Sequence, residues 1–579
     1  MASPATLEAP AVNVADRLAA VAAASPDAIA VAHPGGDTPA GNNSYRTCTF
    51  AELDRDATAL ARGLVDLGVT PQTRLALLVK PGVEFVKLVF ALLRSGATTV
   101  MIDPGMGRQH LLRCLASVEP AGFVAISPAQ AVRTVLRQRF PQAKLNVTVG
   151  RRWFWGGSTY GQLLRDGMNS STPLPATAAD APAAIIFTSG STGPPKGVLY
   201  THRMFDQQAA DIQHQYGLAA GGVDLSCFAL FGLFNSAMGV TTVFPKMDFS
   251  RPASAECKNL LAAANDWRVT NAFASPAVWD KLSRHCERTG DSIPTLRRVF
   301  SCGAPVPAEV LHRTLQCVHP EAEMHTPYGA TEALPVATIE AKKVLNGTAE
   351  KTTRGAGVCV GRKYDSAEWK VIRITDDPIA DISEVEELPT GEIGELIVRA
   401  PQVSPNYLLA ERANDLAKIA DGNAVWHRMG DVGYFDDQEY FWYCGRKSQR
   451  VETKEGTLFT IPVEAVFNTH PRVKRSALVG TGPSEGKTPV LVVEPESSIR
   501  TTLVEELASL AEQHEHTRSI NVFLIRKSLP VDVRHNSKIN REQLAEWAAK
   551  ELANDWPKTH PTRRLYSNHI APGESPGAK

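Results

Sequence analysis

The chain has 579 residues, in which 61 Lys and Arg balance 61 Asp and Glu. A net charge of zero gives no reason to expect nucleic acid or an anionic membrane as a bulk partner, and the length exceeds one compact core. Residues 1–13 lack a basic segment followed by an apolar run, so no secretory signal is expected. Lys87 and Arg94 interrupt the most apolar window, 85–102, which argues against an integral membrane segment. We therefore expect a cytoplasmic protein.

Helices and strands are predicted to alternate over the first several hundred residues, which is typical of doubly wound α/β subdomains around mainly parallel sheets. Apolar spacing indicates helices over 14–24, 50–67, 84–94 and 108–116, and strands over 73–79, 98–102 and 122–126. A strand over 391–400 places a β-rich subdomain from about Gly361, and a small, mobile α+β domain is expected from Gly445. The expected division is 1–444 for the large N-terminal region, 445–570 for the small lid domain and 571–579 for a disordered tail.

A turn rich in hydroxyl groups and glycines follows a predicted buried strand over 185–187. Its backbone N–H groups, its hydroxyls and one lysine can surround a polyphosphate. It is not a Walker A loop, because Lys196 is followed by Gly197 and two prolines remove backbone donors. A flexible linker fits poorly, since apolar runs flank the turn on both sides. The predicted phosphate-binding residues are Thr188, Ser189, Gly190, Ser191, Thr192, Gly193 and Lys196.

A second turn consists of small residues and lies between a predicted strand over 298–300 and a predicted helix over 308–316. Gly303, Ala304 and Pro305 would let a flat ring approach the backbone closely. A structural β-turn is the alternative interpretation of this segment.

A third segment combines three chemical groups within five residues. Tyr328 offers an aromatic ring for stacking, Thr331 a hydroxyl for a phosphate oxygen, and Glu332 a carboxylate suited to Mg²⁺. Further along the chain, Asp431 stands in a glycine turn and Arg446 follows it by fifteen residues. Alone, such an aspartate would be an ordinary turn former.

Because these segments follow one another in this order, the chain resembles the adenylate-forming superfamily of acyl-CoA synthetases, luciferases and adenylation domains. The segment 534–541 resembles its C-terminal lysine motif, although alone it would be a solvated basic turn. The resemblance spans about 15–565 and implies that a carboxylate attacks ATP to give an acyl-adenylate and pyrophosphate. It implies catalytic roles for Lys538, Thr331 and Glu332, and Mg²⁺ held by Glu332 and Thr188. It further implies adenine at Gly303, Ala304, Pro305 and Tyr328, ribose at Asp431 and Arg446, and the β- and γ-phosphates at the turn containing Lys196.

The chain departs from many acyl-CoA ligases at the expected acyl pocket. Gly232 stands where those enzymes have a gating His, beside Phe231 and Phe234, which indicates a roomy apolar pocket for alkyl chains. Ser448 and Glu452 replace the residues used around the domain rotation that serves thioester formation. A nucleophile carried by the substrate itself would make that rotation unnecessary.

Three local segments, 101–108, 327–335 and 426–431, resemble the bacterial β-lactone synthetases of olefin biosynthesis. The resemblance implies that a long-chain 2-alkyl-3-hydroxy acid is adenylated and then closed to a β-lactone by its own 3-hydroxyl group. It also implies an assembly with thiolase-like and α/β-hydrolase-like enzymes of the same pathway, and no nucleic-acid partner. A long-chain fatty acyl-CoA ligase, a luciferase-like monooxygenase and a catalytically silent scaffold remain as alternatives. Chain length, stereochemistry, oligomeric state and the group that deprotonates the hydroxyl are left open.

Overall fold

The computed structural model describes residues 12–35, 45–102, 106–188, 195–483, 485–496, 502–531 and 539–555. The helices are α1 (Asp16–Ala24), α2 (Phe50–Asp66), α3 (Val83–Arg94), α4 (Arg108–Ser117), α5 (Ser127–Val135), α6 (Tyr160–Asn169), α7 (His202–Tyr216), α8 (Phe231–Met238), α9 (Cys257–Asp266), α10 (Pro276–Thr289), α11 (Ala308–Gln316), α12 (Ala341–Lys343), α13 (Ala349–Thr353), α14 (Glu411–Ala417), α15 (Thr460–Phe467), α16 (Leu503–Glu512) and α17 (Arg541–Asp555).

The strands are β1 (Ile29–Pro34), β2 (Tyr45–Thr49), β3 (Arg74–Leu78), β4 (Thr98–Ile102), β5 (Gly122–Ile126), β6 (Val147–Val149), β7 (Ser158–Thr159), β8 (Pro182–Thr188), β9 (Lys196–Thr201), β10 (Val223–Ser226), β11 (Thr241–Val243), β12 (Asn271–Phe273), β13 (Arg298–Phe300), β14 (Glu323–Ala330), β15 (Ala333–Glu340), β16 (Val358–Lys363), β17 (Glu368–Ile372), β18 (Gly394–Arg399), β19 (Tyr407–Leu408), β20 (Lys418–Asp421), β21 (Ala424–Phe435), β22 (Phe441–Arg446), β23 (Val451–Thr453), β24 (Gly456–Leu458), β25 (Val473–Thr481), β26 (Thr488–Pro495) and β27 (Val522–Ile525).

The predicted α/β class is confirmed, and the predicted N-terminal elements are present with bounds shifted by at most two residues. Local capping explains where several helices begin. Thr49 and Glu52 form a reciprocal capping box at the start of α2, and Thr201 accepts from the Met204 N–H at the start of α7. Helix α7 stops at Gly217, whose φ of 60° is readily adopted only by a residue without a Cβ.

The first large sheet has the strand order β19-β9-β8-β4-β3-β5-β6-β7. From β8 to β7 all neighbours are parallel, while β9 returns antiparallel to β8. Parallel strands end at one common edge, so the loops that follow β8, β4 and β6 all leave the sheet on the same side. In open α/β sheets, ligands bind beyond this carboxyl edge.

The second sheet contains fourteen strands in the described part of the chain. Strands β1, β11, β10, β12, β13 and β14 are parallel neighbours, and the strands from β15 onward pair antiparallel. The predicted β-rich region is therefore continuous with the α/β region, because β15 turns back along β14 and offers its free edge to β16. None of the helices in the described residues is long and apolar enough to cross a bilayer.

A smaller α+β region follows β22. It has its own three-stranded sheet, β25-β26-β27, and its own core around Phe467, Leu491, Leu507 and Phe523. Strand β22 pairs with β21 as far as Arg446, two residues past the predicted boundary at 444. The predicted tail at 571–579 lies outside the described residues.

Candidate active site

The hairpin of β8 and β9 carries the predicted phosphate loop at the carboxyl edge of the first sheet. Thr188 and Lys196 are paired partners at the base of this hairpin. The loop residues between them, Ser189, Gly190, Ser191, Thr192 and Gly193, lie outside the described residues. The Lys196 ammonium lies 5.0 Å from the ring centroid of Tyr407. The lysine of the hairpin therefore lies over Tyr407, a residue that was not among the predicted site residues.

Tyr407 links the phosphate hairpin to the predicted magnesium carboxylate. It lies on β19, where it pairs with Val198 of β9, and its phenol donates a hydrogen bond of 2.7 Å to Glu332 Oε1. The backbone carbonyl of Glu332 accepts from the Ser404 N–H at 2.8 Å. The Tyr200 hydroxyl donates to the Thr331 carbonyl at 2.6 Å. Thr331 and Glu332, which follow β14 of the second sheet, are thus fastened to the first sheet.

A second lysine approaches the same tyrosine. Lys418 Nζ lies 5.7 Å from the Tyr407 ring centroid and donates to the Ser404 carbonyl at 2.5 Å. Burial lowers the pKa of Lys418 to about 7, while the charge of Glu332 acts in the opposite direction. Nothing in the sequence marks Lys418, because it is a single lysine at the start of a short strand.

His427 also lies near the ring of Tyr407. Its ring is 6.4 Å from that of Tyr407 between centroids, and its Nδ1 is 3.1 Å from the Ala417 carbonyl oxygen. Burial, reinforced by the charge of Lys418, lowers the pKa of His427 well below its usual range, so the imidazole is neutral at neutral pH. Lys196, Lys418, the carboxylate of Glu332 and a neutral imidazole therefore surround Tyr407, and this set of groups fits a Mg²⁺-bound polyphosphate.

The predicted ribose residues meet the predicted adenine tyrosine. Asp431 and Arg446 are paired partners on β21 and β22, and Arg446 Nη1 is 3.0 Å from Asp431 Oδ1. The Tyr328 hydroxyl donates to Asp431 Oδ2 at 2.5 Å. Asp431 is only 3% exposed, and this burial raises its pKa although Arg446 and Tyr328 oppose the rise. The carboxylate is held by one cation and one hydroxyl, and both contacts orient it.

The turn of small residues lies beside Tyr328. Strands β13 and β14 are parallel, with Phe300 opposite His325, so the turn after β13 and the end of β14 occupy the same sheet edge. Gly303 has a φ of 96°, in the left-handed region. Ala304 is half-buried and Pro305 is exposed at the surface. This neighbourhood agrees with the predicted adenine site, which remains a prediction.

The predicted acyl pocket residues lie on α8, at the carboxyl end of β10 in the same sheet. Phe231 stacks on Phe273 with centroids 4.2 Å apart, and Phe234 is half-buried. A Cβ at Gly232 would lie 2.9 Å from Val86 Cγ2 and 3.2 Å from Phe244 Cζ. Gly232 thus permits close packing in the core rather than widening a pocket, which corrects the interpretation given to this glycine. An apolar pocket at α8 remains a prediction that rests on the two phenylalanines.

The segment around Ser448, about which the domain rotation of acyl-CoA ligases is expected, forms ion pairs with the β-rich region. Lys447 donates to Glu395 Oε2 at 3.1 Å, and Arg450 pairs with Asp376 at 2.6 Å. Ser448 lies between them in the 3₁₀ turn Lys447–Gln449. Lys538 lies outside the described residues, so its catalytic role rests on the sequence alone.

Residues 18–408 match the family model described as AMP-binding enzyme. The chain is 43% identical over 549 residues to a protein named olefin beta-lactone synthetase from Xanthomonas campestris pv. campestris, covering 93% of this chain and 98% of that protein. A protein of the same name from Stenotrophomonas maltophilia is 44% identical over 550 residues, with the same coverage.

A solved structure shares the fold at lower identity. The O-succinylbenzoate coenzyme A synthetase of Bacillus subtilis, in complex with ATP and magnesium ion, matches with a TM-score of 0.70 and 21% identity over 91% of this chain and 98% of that one. The family match covers more than half of this chain, and the named relatives match nearly all of it. The chain therefore belongs to the AMP-binding enzymes, the adenylate-forming family that its motifs resemble.

Proposed function

We propose that this protein is an olefin β-lactone synthetase, an ATP-dependent ligase that activates a long-chain 2-alkyl-3-hydroxy acid and closes it to a β-lactone. The observation that carries the proposal is the identity of 43–44% with two proteins of that name over 98% of their length. Membership of the AMP-binding family supplies the first half-reaction, since its chemistry begins with ATP and a carboxylate.

In the first step, a carboxylate oxygen of the acid attacks the α-phosphorus of ATP and pyrophosphate leaves. Lys196 and Lys418 both approach the ring of Tyr407, and they would offset the charge of the β- and γ-phosphates. Glu332, oriented by Tyr407, would hold Mg²⁺, which shields the phosphate oxygens. Lys538 would neutralise the charge that develops at the α-phosphate, beside Thr331.

The second step needs no second substrate. The 3-hydroxyl oxygen attacks the activated carbonyl, its proton is released, and AMP leaves as the four-membered ring closes. Activation as a mixed anhydride drives the formation of the strained ring, and the position of the hydroxyl beside the carbonyl replaces a bound nucleophile. Phe231 and Phe234 on α8 would line the path of the alkyl chain.

The long-chain fatty acyl-CoA ligase is the second candidate function. It needs a domain rotation about the hinge to admit a thiol. In this chain the ion pair of Arg450 with Asp376 at 2.6 Å joins the two sides of Ser448 and would have to break in such a rotation. We also propose the lid division at 444/445, a cytoplasmic location, and assembly with thiolase-like and α/β-hydrolase-like enzymes of olefin biosynthesis.

The test is to incubate the protein with ATP, Mg²⁺ and a 2-alkyl-3-hydroxy acid. AMP, pyrophosphate and a neutral product lighter than the acid by one water should form, with the infrared carbonyl band of a strained lactone. The matching acid without the 3-hydroxyl should be adenylated at most and then stall. The Lys538→Ala variant should release AMP at least about 10²-fold more slowly. An alkene with loss of carbon dioxide, or free acid with futile ATP hydrolysis, would contradict ring closure.

A further inference from the structure

The neutral charge of the whole chain conceals a strongly basic segment. Between residues 120 and 165 there is no Asp or Glu, although acidic residues make up 61 of the 579 in the chain. The basic residues of this segment are Arg133, Arg137, Arg139, Lys144, Arg151, Arg152 and Arg165. A run of 46 residues with seven positive and no negative side chains creates a local field that favours an anionic partner.

Large apolar side chains are exposed within the same segment. In the loop between β6 and β7, the side chains of Trp153 and Phe154 are 65% and 73% exposed. On α5, Val132 and Val135 are 52% and 77% exposed. Aromatic side chains that project into solvent beside arginines are typical of an interaction surface rather than of a core.

The loop that presents the two aromatic residues is firmly held. Trp155 is buried and donates its indole N–H to Thr148 Oγ1 at 3.0 Å. Its ring stacks beside Trp153 at 6.2 Å and meets Phe154 edge-on at 5.1 Å between centroids. Arg152 closes the loop by donating to the Gly157 carbonyl at 2.5 Å. The exposed pair is therefore displayed by a built loop.

Helix α5 is attached to this loop. The Ser127 hydroxyl at the start of α5 donates to the Arg151 carbonyl at 2.6 Å. Gln130 is buried and donates to the Val147 carbonyl of β6 at 2.9 Å, which fixes the inner face of the helix. Arg133 donates to Gln130 Oε1 at 2.8 Å. We call α5, the 3₁₀ turn Arg137–Arg139 that follows it, and the loop 150–157 the basic-aromatic face.

The basic-aromatic face lies on the side of the sheet that carries the active site. The loop after β6 and the phosphate loop after β8 leave the same edge, because all strands from β8 to β7 are parallel. Four strand spacings separate β8 from β6 in the order β8-β4-β3-β5-β6, which amounts to roughly 19 Å. A surface in contact with this face would thus lie on the same side of the sheet as the predicted phosphate loop.

We propose that the basic-aromatic face docks the protein peripherally on an anionic lipid bilayer. Trp and Phe side chains insert at the boundary between headgroups and acyl chains, and arginines pair with lipid phosphates. The absence of acidic residues from 120 to 165 favours a uniformly anionic surface, since a protein partner normally presents both signs of charge. The experiment must therefore distinguish binding to a bilayer from binding to a protein. On the proposed function, docking would bring this side of the sheet to the surface into which long-chain acids and lactones partition.

Vesicle flotation tests the proposal without substrate, so its result is independent of the proposed reaction. The protein should float with vesicles of phosphatidylcholine and phosphatidylglycerol, weakly with phosphatidylcholine alone, and less as salt rises. Trp153→Ser/Phe154→Ser should weaken partitioning at least about tenfold on both vesicles. Arg151→Gln/Arg152→Gln should weaken it roughly thirtyfold on anionic vesicles and little on neutral ones.

The matched control is Arg284→Gln/Arg288→Gln, which removes two positive charges from α10 and should bind as the original chain does. Thermal unfolding of each variant checks its fold, and both loop variants replace exposed side chains. Equal flotation of the original chain and the two loop variants would overturn the proposal. A second result would also overturn it. If the original chain does not float, and replacing Trp153 and Phe154 abolishes self-association in light scattering, the face is a contact between copies of the chain.

Discussion

The phenol of Tyr407 donates a hydrogen bond of 2.7 Å to the carboxylate of Glu332. This contact joins an edge strand of the first sheet to the turn that follows β14 in the second sheet. It orients one oxygen of Glu332, and no hydrogen bond among the described residues engages the other, which could bind a cation. The two sheets therefore meet at the residue that is predicted to hold magnesium.

Replacement of Glu332 by Ala should lower the rate of pyrophosphate release by about 10²-fold or more, because one preorganised group at the transferring phosphate is lost. Tyr407→Phe keeps the carboxylate of Glu332 but removes the hydrogen bond that orients it. We therefore expect the Mg²⁺ concentration that gives the half-maximal rate to rise several-fold. Titration of the rate against Mg²⁺ measures both effects. Tyr434→Phe is the control, since that phenol donates to the Ala356 carbonyl in another part of the second sheet. An unchanged Mg²⁺ requirement in Tyr407→Phe would contradict the assigned role.

Lys418→Met should raise the KM for ATP by about tenfold, because a cation with a charge-assisted contact to the phosphates contributes about 1.5–3 kcal/mol. The substitution also removes the hydrogen bond to the Ser404 carbonyl, so thermal unfolding of the variant is measured beside the kinetics. Lys370→Met is the matched control, since Lys370 forms a surface ion pair with Glu387. Steady-state kinetics with varied ATP decide the matter. A KM equal to that of the unmodified chain would show that Lys418 is only structural.

Asp431→Asn should impair recognition of the ribose hydroxyls. The original chain should use 2′-deoxy-ATP at least about tenfold less efficiently than ATP, because a buried carboxylate would then lack a donor. Asp431→Asn should lower kcat/KM for ATP and shrink this discrimination, while Tyr328→Phe should weaken ATP use without abolishing it. The ratio of kcat/KM values for the two nucleotides is the measurement. Full discrimination in Asp431→Asn would place the ribose elsewhere.

Coenzyme A should neither accelerate AMP release nor appear in any product. The reason is that Ser448 and Glu452 replace the residues that acyl-CoA ligases use around the domain rotation, and that the ion pair of Arg450 with Asp376 at 2.6 Å joins the two sides of Ser448. AMP release is followed with and without coenzyme A, and products are examined by mass spectrometry. A thioester formed as fast as the adenylate would restore the acyl-CoA ligase interpretation.

Asp224 should make stability depend on pH. It is buried on β10 and accepts a hydrogen bond from Asn235 of α8 at 2.9 Å. Burial raises its pKa from 3.8 to about 6. The stabilising contribution of the protonated group is thus complete below about 3.8 and is lost as the pH rises through about 6.

Asp224→Asn removes the ionisable group, so the variant should not lose stability as the pH rises through about 6. Relative to the original chain, its free energy of unfolding should increase between pH 4 and pH 7 by up to about 3 kcal/mol, at 1.36 kcal/mol for each pKa unit. Urea unfolding across this range measures the difference. Asp166→Asn, at an exposed position, should show no such trend. A constant difference between Asp224→Asn and the original chain would mean that Asp224 is ionised in the folded protein.

Local sequence patterns were sufficient for the α/β class, for most early helices and strands, and for the family. Helices α2 and α3 and strands β4 and β5 occur within one residue of their predicted bounds, because the period of apolar residues reports directly on which face is buried. The sequence also assigned Asp431 and Arg446 to one ligand through the family resemblance, although it placed Asp431 in a glycine turn, whereas the structure places the two residues opposite each other on β21 and β22. Such features depend on residues that are close in the sequence.

Only the tertiary structure decided which groups share a site. Tyr407 and Glu332 are 75 residues apart, and Lys418 and His427 carry no motif, so their convergence on one ring depends on how the two sheets pack. The same limit explains the error at Gly232. The sequence could not show that Val86 and Phe244 occupy the space beside this glycine, because that depends on where α8 packs. Periodicity fixes which face of an element is apolar, whereas the neighbour that covers that face is selected by the packing of the whole chain.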